Sequence, residues 1–137
     1  MNTTATVAGN LTRDPELRYT PSGTAVVTVA VAITPRRRNA ETGNWENGET
    51  TYLNASEFGP TAEHVAESLA TGDRVVVTGR LVERSFTATQ GQRAGQEIRR
   101  HEIVIDEIGV SLRYATARPV KAHRNGDLHV VEDDENA

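Results

Sequence analysis

The run from Thr24 to Thr34 places Ala25, Val27, Val29, Val31 and Ile33 on one side of an extended chain, and Val26, Thr28, Ala30, Ala32 and Thr34 on the other. Such alternation, rich in β-branched residues, is the pattern of a strand with one face in a core. Pro35 ends it, because proline has no N–H to give to a ladder. A strand of this kind needs partners, and turn signals mark them out. A first stretch runs from about Thr4 to Gly9 and resumes through Leu17-Arg18-Tyr19, before a turn at Thr20-Pro21-Ser22-Gly23. A third strand, Thr51 to Phe58, sets Tyr52, Asn54, Ser56 and Phe58 on one face and Leu53 and Ala55 on the other. A fourth runs from Arg74 to about Phe86. Its Val75, Val77, Gly79 and Leu81 face one way, and Val76, Thr78, Arg80, Val82, Arg84 and Phe86 the other, unless Gly79 marks a bulge. The turn-rich segment Gln90 to Gly95 leads to a fifth strand ending near Ile108.

Between the third and fourth strands, Ala62, Val65, Ala66 and Leu69 repeat at helical spacing, with Pro60 in the first turn and Gly72 as the stop. Residues 36–50 read as a long loop holding three arginines, and loops of that length in a small domain are usually functional or disordered. The order strand, strand, strand, helix, strand, strand predicts an all-β domain over residues 1–118, a five-stranded Greek-key barrel of the OB type with one short helix between strands three and four. A β-sandwich would need more strands and no helix in that slot. Beyond Arg118-Pro119 no periodicity survives, and residues 119–137 are expected to form a disordered acidic tail.

The net charge of −4 mostly describes that tail. Setting aside the five acids of residues 125–137 leaves fifteen bases against fourteen acids in the rest of the chain. Fourteen of the bases are arginine, whose planar fork grips phosphate and stacks on flat rings, although arginine usage also follows GC-rich coding. There is no cysteine, so disulfides and thiolate metal sites are excluded. The N-terminus lacks the pattern of a signal peptide. The longest near-apolar run, Ala25 to Ile33, is nine residues and contains Thr28, against the roughly 20 a membrane span needs, so a cytoplasmic protein with no membrane association is expected.

Enzyme chemistry finds little support. A P-loop, a G-x-S-x-G elbow and an H-E-x-x-H pair are all missing, and His64, His101, His123 and His129 are scattered. His101-Glu102 and Asp106-Glu107 are chain neighbours, which point to opposite faces of a strand. No catalytic residue, metal or cofactor is expected. A more telling set is arginine and aromatic side chains on shared strand faces and in the long loop. These are Tyr52 and Phe58 on strand three, Arg80, Arg84 and Phe86 on strand four, and Arg36, Arg37, Arg38 and Trp45 in the loop. A basic groove with aromatic platforms is the recipe for holding single-stranded nucleic acid. The plainer reading is half-buried packing for the aromatics and a solvated patch for the arginines. Partner-protein binding stays open on composition alone.

Longer motifs carry a resemblance. Gly9-Asn10-Leu11-Thr12-Arg13-Asp14-Pro15-Glu16-Leu17-Arg18-Tyr19-Thr20-Pro21-Ser22-Gly23 resembles the opening of bacterial single-stranded DNA-binding proteins of the replication type. So do Phe58-Gly59 followed by Ala62 to Leu69, and Gly72 to Leu81. The segment Glu107 to Ala117 is similar to the high-GC Gram-positive branch, and the match spans about residues 3–118 in order. The resemblance implies an OB fold, usually a homotetramer with a dimer as the alternative, that wraps single-stranded DNA without sequence preference in replication, recombination and repair. It implies stacking at Tyr52, Phe58 and Phe86, a loop position near Arg38 where relatives carry an aromatic, a basic contact at Arg18, and an extra subunit-clamping strand after about residue 110. With the arginines read above, the expected nucleic-acid-binding set is Arg18, Arg36, Arg37, Arg38, Trp45, Tyr52, Phe58, Arg80, Arg84 and Phe86.

The chain also departs from the family. Tyr52 and Phe86 stand where many relatives have tryptophan, and the interior of strand three, Leu53 to Glu57, is more polar than usual. Family tails end in acids followed by Pro-Phe. This one ends Glu132-Asp133-Asp134-Glu135-Asn136-Ala137, which puts recruitment of replication and repair proteins through it in question. A specialised paralogue or mobile-element version fits this pattern. The rival reading is an OB-fold interaction subunit of a replication-restart complex with weak DNA affinity. RNA is a further candidate ligand, because stacking platforms read bases on either sugar.

Overall fold

Strand β3 (Ala25–Ile33) is the hub of the computed structural model, hydrogen-bonded to β1 (Thr3–Leu11), β2 (Glu16–Tyr19) and β6 (Thr51–Phe58). The structure describes residues 3–92 and 94–122, and the backbone of 128–130. Around β3 run α1 (Pro60–Ser68), β7 (Arg74–Thr87) and β8 (Glu97–Val110), in the sheet order β1-β7-β8-β6-β3-β2. Asn10 and Leu11 of β1 also pair with Ala32 and Val31 of β3, which closes the sheet into a barrel, while β2 pairs with the first half of β3. All these pairs are antiparallel except β6–β8, the one parallel contact of the Greek key. The five strands and single helix expected for an OB barrel are therefore present, and β6 has the bounds its alternation predicts.

The core is almost wholly aliphatic. Val27, Val29 and Val31 of β3, Val75 and Val77 of β7, and Ile103 of β8 are its fully buried members. Ala62 and Val65 of α1 cover one end of the barrel, and Leu53 and Ala55 of β6 close the side, so the inward face of that polar-looking strand is apolar after all. Helix α1 begins after Gly59, whose φ of 76° is open to glycine and costly for residues with a Cβ, and has Pro60 in its first turn.

Two expectations about β7 and the loop after β3 are refined. The sheet irregularity at Gly79 exists, but the extra residue is Asp106 of β8. Thr78 pairs with Glu107 and Gly79 with Ile105, so β7 keeps its alternation throughout. Gly79 is required there for space, since a Cβ would run into the Val104 carbonyl. The segment read as a loop over 36–50 is instead a small ribbon, β4 (Arg36–Arg38) paired with β5 (Trp45–Asn47). Asn39 makes its turn: its side-chain Oδ1 accepts from the N–H groups of Glu41 at 2.8 Å and Thr42 at 3.2 Å, and Gly43 takes a positive φ of 75°. Arginine carries little strand propensity, so the alternation signal was missing from β4.

After β8 the chain has no strand until β9 (Val120–Ala122), which pairs antiparallel with β10 (Leu128–Val130). This short ladder lies inside the segment expected to lack regular structure. Residues 111–119 carry no strand, and β9 is the first strand after residue 110. The acidic run Glu132 to Glu135 lies outside the described residues.

The first turn between strands is tied down by a carboxylate. Asp14 accepts from both the N–H and the hydroxyl of Thr71, at 2.9 and 2.8 Å, linking the β1–β2 connection to the α1–β7 connection. These two hydrogen bonds, led by the backbone one, pull the Asp14 pKa below its ordinary value. A depressed carboxylate adds stability above its unfolded pKa and loses it as the pH falls through the folded one. Asp14→Asn should therefore lower the urea midpoint at pH 7, and its deficit should shrink as the pH drops below the usual aspartate range. A constant deficit down to pH 2 would show that the ionised carboxylate is not what holds the link.

Candidate nucleic-acid interface

Direct cross-strand partners in a sheet project to the same side. Following them across the barrel therefore assembles its outer face. Arg18 of β2 lies beside Val26 of β3, which lies beside Phe58 of β6. The next row runs Thr28, Ser56, Val104, Arg80 and Thr4 across β3, β6, β8, β7 and β1. A third row holds Ala30, Asn54, Glu102 and Val82, and further along come Tyr52 of β6 and the Arg84–Arg100 pair of β7 and β8. Beyond them, Phe86 pairs with Ile98. One continuous surface thus brings together Arg18, Tyr52, Phe58, Arg80, Arg84 and Phe86, six of the ten residues singled out from the sequence. The polar positions Asn54 and Ser56 belong to this outer surface, which accounts for the unusual polarity of β6.

The other four lie on the β4–β5 ribbon, which continues from the ends of β3 and β6 through a Thr34–Thr50 hydroxyl bond of 2.7 Å. Its register splits the arginine run. Arg38 is opposite Trp45 and Arg36 opposite Asn47, all on one side, with an Arg36 to Asn47 hydrogen bond of 3.4 Å. Arg37 is opposite Glu46 and projects to the other side. The three arginines are thus divided between the two sides of the ribbon, since a strand alternates every residue.

Every aromatic side chain of the protein is exposed. Tyr52 is 70% exposed, Trp45 63%, Phe58 46% and Phe86 44%, and none of them belongs to the core cluster. Tyr52 and Trp45 are mostly exposed, whereas Phe58 and Phe86 are about half buried. The two remaining aromatics have partners of their own. The Tyr19 hydroxyl donates to Glu63 Oε1 at 3.3 Å, and the nearby carboxylate charge raises its pKa. The guanidinium groups of Arg74 and Arg113 lie 6.0 and 5.6 Å from the Tyr114 ring centre.

Two members of the face were not singled out from the sequence. The Arg100 guanidinium lies 5.3 Å over the Phe86 ring, making a composite cationic and aromatic platform. Glu102 accepts from Arg84 Nε at 2.9 Å and from the Ser56 hydroxyl at 3.4 Å. Arg84, expected as an open phosphate contact, is therefore already held by one edge. His101, Glu83 and Arg99 belong to the reverse side of the β7–β8 ribbon, where Glu83 lies 3.7 Å from each partner. Among the described residues no three histidines or acids converge as a metal site, and no helix is long and apolar enough to cross a membrane.

Residues 1–111 match the family model for the single-strand binding protein family. The chain is 51% identical over 125 residues to the single-stranded DNA-binding protein of Mycolicibacterium smegmatis, covering 91% of this chain and 73% of that one. It is 48% identical to the one from Paenarthrobacter aurescens, covering 91% and 71%. Among solved structures, a small single-stranded DNA-binding protein from Streptomyces coelicolor is similar with a TM-score of 0.68 and 29% identity, over 81% of this chain and 95% of that one. These relatives come from high-GC Gram-positive bacteria, the branch that Glu107 to Ala117 resembles.

Proposed function

Since the chain belongs to the single-strand binding protein family, we propose that it binds, protects and organises single-stranded DNA, without strong sequence preference, during replication, recombination or repair. The observation that carries this is the segregation of side chains. The core takes only aliphatic residues, while Trp45, Tyr52, Phe58 and Phe86 stand exposed beside arginines. Exposed rings lose water-ordering surface when a base stacks on them, and each stacked base contributes about 1–3 kcal/mol. Rings have no hydrogen-bond code, so the same platforms accept any base.

In this reading Trp45, Tyr52, Phe58 and Phe86 stack on bases. Arg18, Arg36, Arg37, Arg38, Arg80 and Arg84 contact phosphates, with Arg37 reaching the strand from the far side of its ribbon. The chemistry is binding, not catalysis. The relatives give the rival protein-interaction reading no support. We further propose a cytoplasmic, nucleoid-associated homotetramer. Val110, Leu112 and Tyr114 at the end of β8 and just past it are exposed apolar groups that assembly would cover.

The test is titration of a fluorescently labelled poly-thymidine oligonucleotide and a matched duplex at low and moderate salt. Tight binding selective for the single strand, weakening as salt rises, is the expected result. Weak binding that fails to tell strand from duplex would overturn the reading.

A further inference from the structure

Glu102 is an acid in the middle of a surface that meets a polyanion. On charge alone it opposes binding. Its surroundings show another role. Arg84 and Arg100 are direct cross-strand partners, and like charges in that relation repel. The two guanidinium groups are drawn apart along the ribbon, each to a diagonal neighbour: Arg84 to Glu102, and Arg100 to the Phe86 ring. Glu102 meets Arg84 through Nε only, at 2.9 Å, and Ser56 steadies the same oxygen from β6. The terminal amino groups of Arg84 make no hydrogen bond among the described residues, and its side chain is 56% exposed against 21% for Glu102. So exposed an ion pair adds little to stability. What it does is fix a long side chain in one direction.

We infer that Glu102 is a positioning residue: it holds Arg84 by the Nε edge, clear of Arg100, so that the free end of the guanidinium is presented to a DNA phosphate between the Tyr52 and Phe86 platforms. This rests on the single-stranded DNA-binding reading above. An arginine fixed in its binding direction loses less side-chain freedom when phosphate arrives, and that preorganisation outweighs the repulsion of one carboxylate.

Charge and position predict opposite results, and substitutions at one residue separate them. Glu102→Asp keeps the charge but is one methylene too short to reach Arg84. Glu102→Ala removes both, and Glu102→Gln keeps length and an acceptor oxygen. Each is titrated with labelled poly-thymidine oligonucleotide over a salt series, with a urea transition to verify folding. The positioning role predicts binding weakened roughly three- to tenfold in Glu102→Asp and Glu102→Ala, native or tighter binding in Glu102→Gln, and a salt slope about 0.7 shallower in Glu102→Ala as one phosphate contact is lost. In an Arg84→Gln background, Glu102→Ala should cause no further weakening. Native affinity in Glu102→Asp, or tighter binding with an undiminished slope in Glu102→Ala, would overturn the inference. Failure of the native chain to bind the oligonucleotide would instead overturn the reading on which it rests.

Discussion

Replacing Tyr52 and Phe58 together with alanine is expected to weaken binding of single-stranded DNA at least tenfold and leave the domain folded. The two rings stand on the same outer face of β6, six residues apart, 70% and 46% exposed, and neither belongs to the core. At about 1–3 kcal/mol for each stacked base, losing both platforms removes about 2–6 kcal/mol, and since tenfold is only about 1.4 kcal/mol it is a floor below that range. The salt slope should change little, because the arginines are untouched and the slope counts phosphates. The measurement is a labelled-oligonucleotide titration at two salt concentrations beside a urea transition. Unchanged affinity in a folded double variant would mean that the strand path avoids this face.

That face was largely legible in the sequence because alternation along one strand is a local property. Tyr52 and Phe58, or Arg80, Arg84 and Phe86, share a side whichever strands they pair with. Which strands become neighbours is a long-range outcome. That Arg18, Phe58 and Arg80 end on one surface follows only from the order β1-β7-β8-β6-β3-β2. Arg100 and Glu102 escaped notice for a specific reason. Ile103 and Ile105 point inward, then the extra residue Asp106 shifts the phase so that Ile108 points inward too. A period of two read along the whole of β8 therefore breaks, and its outer residues cannot be sorted by counting. The β4–β5 ribbon was hidden by its composition, since three arginines and a Thr42-Gly43-Asn44 turn look like solvated loop. The pairing nevertheless places Trp45 directly across the ribbon from Arg38, so a ring stands beside that arginine.

The complementary experiment strikes the core. Ile103 is fully buried in β8, with Leu81 of β7 as its partner on one side and Ala55 of β6 on the other, in the parallel β6–β8 pairing. Small neighbours such as Ala55, held in strands that are hydrogen-bonded on both edges, cannot collapse into the space a shortened side chain would leave. Ile103→Ala should therefore cost about 2–5 kcal/mol, a large share of the roughly 5–15 kcal/mol that holds a domain of this size together. Urea denaturation should show a lower midpoint with an unchanged slope, because the surface exposed on unfolding is nearly the same. Below the transition, the folded fraction should bind oligonucleotide with near-native affinity, since Ile103 points away from the Arg84, Arg100 and Glu102 surface. The Tyr52 and Phe58 variant should show the reverse, native stability with lost affinity. A loss under about 1 kcal/mol in Ile103→Ala would mean that the barrel repacks, and that its walls yield where the β6–β8 pair joins them.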